Sequence, residues 1–258
     1  MSILLLANSG WRYAAQIKPT DASDVNTTDT TGIQNVVAGP RHINWVSGST
    51  AVRRLAMVDI SGRINCTHVV LADASNFNNH QISVLSYSAY PATPTTEYTS
   101  ADPFVGPYIG KRSTDFVVPF AARKTALQAV VLNLLSGTGG VYTKTVNKFY
   151  VADSLTLSYP GVTGYRPLKF PSRFVYKQNA WLVEDEWSFS ASGLTQDEKN
   201  TFEGIYLLKQ EPVFLYDAAG TLISYKLLHG IITNHQFVQS HDNLYNLRFS
   251  ISTLRNKA

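Results

Sequence analysis

The chain has 258 residues, of which 44% are hydrophobic and only 16% charged, with a formal net charge of +4. Such a chain buries enough apolar surface for one large domain or two small ones, which excludes a disordered protein. Its basic residues are scattered, with Arg53-Arg54 and Lys111-Arg112 as the densest spots, so the basic stripe of a nucleic-acid binder is missing.

Fourteen Tyr, 12 Phe and 4 Trp suit a β-rich fold, because aromatic side chains fit a pleated surface. The opening "MSILLLANSG" lacks a basic flank and is shorter than a signal-peptide core, so no signal peptide is expected and the protein is read as made in a cytoplasm. No apolar run reaches the roughly 20 residues a membrane-spanning helix needs. The segment 19–35, "PTDASDVNTTDTTGIQN", is polar and aperiodic and reads as a long surface loop or arm.

Short strand-type runs follow at 54–60, 66–72, 80–87 and 114–120. The run 126–135, "ALQAVVLNLL", suits either a strand or a helix. In "KFYVADSLTLSY" (148–159), Leu155, Leu157 and Tyr159 alternate with Ser154, Thr156 and Ser158, the period of a strand with one buried face. Cys66 lies in an apolar run, where a small buried hydrophobe is the expected role; a lone cysteine also means no intrachain disulfide. "YPGVTGYRPLKFP" (159–171) carries three prolines and two glycines and marks the expected boundary, giving domains 1–160 and 161–258.

Beyond that boundary, Trp181, Val183, Trp187 and Phe189 share one face of a strand and Glu184, Glu186, Ser188 and Ser190 the other. Asp185 falls on the apolar face, and Arg173 is its expected partner. A helix is expected over about 196–209, where Thr195 and Glu198 form a capping box and Phe202, Ile205 and Tyr206 an apolar stripe. "PVFLY-DAAG-TLISYKLL" (212–228) reads as a hairpin with a short turn, "GIITNHQFV" (230–238) as a further strand, and "LYNLRFSIST" (244–253) as a strand with uninterrupted alternation. The fold class is therefore mainly β: a sandwich followed by a smaller α+β or split-barrel unit with one helix.

Motifs for chemistry are absent. None of the six histidines stands at a metal-ligand spacing, and no GxSxG elbow or phosphate-binding glycine loop occurs. Glu184 and Glu186 lie about 6.6 Å apart along one strand face, near the spacing of an inverting glycosidase pair, but on a polar face they read as exposed surface carboxylates. No catalytic, cofactor or metal residue is assigned, and the chain is read as a non-enzyme. The loop 73–79, "DASNFNN", joins two apolar segments; Asp and Asn there satisfy turn backbone. The same loop gives the candidate glycan contact, with Asp73, Asn76 and Asn78 as hydrogen-bonding groups and Trp45 or Tyr90 as a stacking platform.

The segment "WVSGSTAVRRLAMVDISGRINCTHVVLADASNFNNHQISVLSY" (45–87), with 126–155 as a later strand pair, resembles a discoidin-like, galactose-binding-like jelly roll. The segment "SRFVYKQNAWLVEDEWSFSASGLTQDEKNTFEGIYLLKQEPVFLYDAAG" (172–220) resembles modules of tailed-bacteriophage tail-tip and baseplate proteins, in which an aromatic strand leads to a "gLtqdE" helix and a "PVFLYD" strand. Together these resemblances imply a minor structural protein of a phage tail, with a distal-tail-like layout. They imply a homo-oligomeric ring, three-fold or six-fold, touching neighbouring tail proteins through the arm 19–35 and the loops 73–79 and 91–110, and located in the virion tail. The alternative is a carbohydrate-binding module that recognises host-surface glycans. No cofactor, nucleic acid or membrane partner is expected.

Overall fold

A computed structural model of the chain describes residues 2–8, 45–46, 53–59, 61–74, 82–99, 114–134, 145–146, 148–158, 168–169, 173–177, 180–207, 213–216 and 227–256. The structure is mainly β, with antiparallel pairing throughout and a single helix among the described residues. It divides into two units: Asn8–Asp153, and Met1–Ala7 with Ser154–Ala258. This differs from the expected division at 159–171 in two ways. The break falls inside a strand, and the first strand, β1 (Ser2–Asn8), belongs with the C-terminal half. There Leu4 to Ala7 pair with Tyr216 to Val213, a long-range match with no local signature.

The unit Asn8–Asp153 is a two-sheet sandwich. Its strands are β2 (Trp45–Val46), β3 (Arg53–Val58), β4 (Ile64–Ala74), β5 (Ile82–Tyr87), β6 (Thr95–Thr99), β7 (Thr114–Leu127), β8 (Ala129–Leu134), β9 (Thr145–Val146) and the first part of β10 (Lys148–Ser158). One sheet has the order β10-β4-β7, the other β3-β8-β5-β6, and β2 pairs with β9. Between the sheets lies a core that includes Leu55, Met57, Cys66, Val69, Val84, Leu132 and Phe149. Of the run 126–135, residues 126–127 end β7 and 129–134 form β8, whose apolar residues alternate between the core (Val130, Leu132) and the opposite face (Ala129, Val131).

Alternation along β4 changes phase. Ile64 and Cys66 face the core, then Val69 and Leu71. The change of phase coincides with an interruption of the ladder: from Cys66↔Lys124 to His68↔Pro119, β4 advances two residues and β7 five. β7 tolerates Pro119 because it is an edge strand, where a missing N–H leaves no ladder bond unmade. β4 and β5 flank the loop 73–79 but lie in different sheets, so this connection crosses the sandwich instead of closing a hairpin.

The other unit has the sheet order β11-β13-β16-β15-β14-β1, with residues 154–158 of β10 beside β1. Its elements are β11 (Leu168–Lys169), β12 (Arg173–Lys177), β13 (Ala180–Leu194), α1 (Gln196–Leu207), β14 (Val213–Tyr216), β15 (Leu227–His241) and β16 (Leu244–Asn256). β12 also pairs with β13. No pairing closes this order into a barrel among the described residues. The expected capping box forms: Thr195 N–H donates to Glu198 Oε2 at 2.8 Å and Glu198 N–H to Thr195 Oγ1 at 3.3 Å. Phe202 is fully buried against β13, β15 and β16, with Ile205 and Tyr206 packed beside it.

Of the hairpin expected at 212–228, Val213 to Tyr216 pair with Gly230 to Leu227, while residues 217–226 lie outside the described residues. From Leu227 β15 runs unbroken to His241, fusing two expected strands. Gly230 is required by packing: a Cβ there would run into Ile251 Cγ2 and stand 2.6 Å from the Ser252 carbonyl oxygen. The β15–β16 turn is Asp242-Asn243, both at positive φ (22° and 66°), a conformation Asn and Asp tolerate.

Candidate functional site

Of the five residues assigned to a glycan contact, Asn76 and Asn78 lie outside the described residues. Asp73 is within β4, and Trp45 in β2 is opposite Val146. Tyr90 alone has a described side chain. It is half-buried, and its ring meets Tyr87 edge-on at 5.1 Å while both pack on Ala56, Val58, Ala129 and Val131. Its backbone N–H donates to Gln128 Oε1 at 2.8 Å. Gln128 is a corner post. Its N–H donates to the Tyr87 carbonyl and its own carbonyl accepts from Asp59 N–H, which ties the ends of β3 and β5 where the chain crosses from β7 to β8. Tyr90 thus has a structural role in the sheet end. The arm 19–35 lies outside the described residues; of the loop 91–110, residues 91–99 are described and include β6.

Asp59 is buried in the turn between β3 and β4. Burial alone raises its pKa, but the bond from Arg63, the Ser61 N–H and the Arg63 charge together outweigh it and hold the carboxyl below its ordinary value. Gly62 supplies the positive φ that this turn needs.

Three polar groups meet near Cys66. Glu97 Oε1 accepts from Lys124 Nζ at 2.9 Å and from the Ser86 hydroxyl at 2.5 Å. Burial first, then the nearby Asp153 and Glu97 charges, push the Cys66 thiol up to about 12. A thiol held so far from its thiolate is no nucleophile. Arg123 grips Asp153 with two nitrogens, 2.6 Å at the shortest. His68 is buried, its Nδ1 is 2.8 Å from Thr67 Oγ1, and desolvation lowers its pKa against the opposing pull of Asp153.

The carboxylate pair is corrected. Glu184 is buried, not exposed, and accepts a 2.7 Å bond from the Ser252 hydroxyl, while Glu186 is half-buried. The register also places Arg173 opposite Glu184, not Asp185, since directly opposed residues share a face. Asp185 is buried and opposite Thr253, whose hydroxyl donates to the Asp185 carbonyl at 3.4 Å. Among the described residues no three His, Cys, Asp or Glu side chains stand where they could hold a metal ion. No described helix is long and apolar enough to cross a membrane.

A surface outside the sequence reading stands out instead. Along β15 and β16, Ile231, Val238 and Leu244 are exposed large hydrophobics. One face of this pair is covered by α1. His235 lies 4.2 Å from the Tyr206 ring and 5.6 Å from Phe202 (centroid distances), and Lys199 Nζ sits over the rings of Tyr245 and Phe237. Tyr245 Oη donates to Gln196 Oε1 at 2.7 Å. The sequence signal for this surface is the absence of Lys, Arg, Asp and Glu from 227–241.

The chain matches no family model, and no curated protein or solved structure matches it.

Proposed function

We propose that the chain is a structural subunit of a bacteriophage virion, a tail-tip or baseplate component that assembles with copies of itself into a ring and touches neighbouring tail proteins. The observation that carries this reading is the succession β13–α1–β14–β15–β16. Its order matches the aromatic strand, capped helix and "PVFLY" strand of the 172–220 resemblance, followed by two further strands. The polar groups of both units also favour it: the buried carboxylates Asp59 and Glu184 are hydrogen-bonded and the Cys66 thiol is packed in the core, as structural proteins use such groups.

A ring subunit self-associates at high concentration. Light scattering coupled to gel filtration of the purified chain is expected to give a mass of several copies, and negative-stain micrographs to show closed rings. A protein that stays a single chain at millimolar concentration overturns the reading.

A further inference from the structure

The position of β15 in its sheet leaves part of it uncovered. β14 pairs with it only from Leu227 to Gly230, while β16 follows it to His241. Along 231–241 one edge of the strand therefore faces no other strand among the described residues. Eleven residues at about 3.3 Å each give an edge roughly 36 Å long, with outward N–H and C=O groups at alternate residues.

Proteins usually guard such an edge with charged residues, Pro, short strands or β-bulges. The segment 231–241 carries no Lys, Arg, Asp, Glu or Pro, and irregularities occur only towards its two ends. Two register irregularities, at 232–234 and 239–241, bracket a regular stretch from 234 to 239. Val238 is 52% exposed and Ile231 37%. One face of the strand is also packed in advance: Phe202 and Tyr206 of α1 pack on His235, and Lys199 lies over Phe237. An edge fixed before its partner arrives loses less conformational freedom on pairing.

We propose that this edge receives the β15 of a second copy of the chain, the two strands running antiparallel about a two-fold axis through 234–239. The uncharged edge disfavours strongly charged strands, and two copies of this strand bring no like charges together; self-contact is also what a ring subunit requires. The inference rests on the chain being a self-assembling subunit; the contact joins copies in pairs, whatever further contact closes a ring.

Two sets of variants of the full chain test it. The double variant Ile231→Lys/Val238→Lys places charges at exposed positions, where they stay hydrated in the single chain and obstruct strand addition. Light scattering is expected to show its mass reduced at least two-fold relative to the unaltered chain. Separately, Asn234→Cys, Gln236→Cys and Val238→Cys are oxidised one at a time; Cys66 is buried and silent. At least one is expected to give a disulfide-linked dimer on a non-reducing gel. If the unaltered chain self-associates while the lysine variant keeps its full mass and no cysteine variant cross-links, β15 is not the contact and the ring reading stands. If the unaltered chain is monomeric throughout, both fall. Should the lysine variant fail to fold, the cysteine variants decide alone.

Discussion

Glu97, in the edge strand of one sheet of the sandwich, accepts a 2.9 Å bond from Lys124, in the edge strand of the sheet facing it. The pair clasps the open side of the sandwich, and its two ends are unequally wet: the Lys124 side chain is 29% exposed and that of Glu97 only 6%. The cost of breaking the pair therefore depends on which end is removed. In Lys124→Met the Glu97 carboxylate stays buried with only the Ser86 hydroxyl, which destabilises by about 3 kcal/mol, as for other buried charges left unpaired. In Glu97→Gln the ammonium can turn to water, and the loss is about 1 kcal/mol. Urea midpoints of the two variants check this; equal losses, or a larger loss for Glu97→Gln, contradict it.

Gly230 is the second test of packing. Its added Cβ meets one atom that can move, Ile251 Cγ2, and one that cannot, the Ser252 carbonyl oxygen at 2.6 Å. Gly230→Ala should destabilise by about 3 kcal/mol, the upper range for overpacking. Trimming the side chain in Gly230→Ala/Ile251→Val is expected to recover little, because the backbone clash persists. A Gly230→Ala protein with an unchanged thermal midpoint disproves the close approach.

What could be read from the sequence follows the range of the interactions. The cap of α1 is a matter of two residues three apart, and Thr195 and Glu198 bond as their types dictate. The alternation of Tyr245, Leu247, Phe249 and Ile251 likewise needs only the local period. Pairing across the chain leaves no such mark. Nothing in "SILLLAN" says that it will lie against 213–216, and nothing in Gly230 tells a strand break from a strand crossing close to Ile251. Charge alone matches Arg173 to Asp185; the register, which only the fold fixes, places it opposite Glu184.

The cap has its own measurable weight. Thr195→Ala removes the hydroxyl that accepts from the Glu198 N–H, and helix caps of this kind contribute about 1 kcal/mol. Thr195→Asp retains an acceptor at that position and is expected to lose less than half as much. Equal losses in chemical denaturation would show that the hydroxyl does not cap the helix.

The thiol of Cys66 reports on opening of the sandwich. With its pKa raised to about 12 and its side chain in the core, it is expected to be silent toward a thiol-specific disulfide reagent at pH 8 in the folded protein, and to react within seconds in denaturant. Rapid labelling of the native chain contradicts the burial.

His68 makes the sandwich sensitive to mild acid. Desolvation holds its pKa below the ordinary 6.5, against the pull of Asp153 in the other direction. The unfolded chain therefore takes up a proton at a higher pH than the folded chain. This component of stability is complete above pH 6.5 and is lost as the pH falls below that value and through the folded-state pKa. His68→Phe keeps the buried volume apolar and removes the titration. The urea midpoint of the unaltered protein is expected to drop between pH 7.5 and 5.5 by more than that of His68→Phe. Identical pH slopes in the two proteins would mean that His68 binds its proton equally well folded and unfolded, and that its burial carries no penalty.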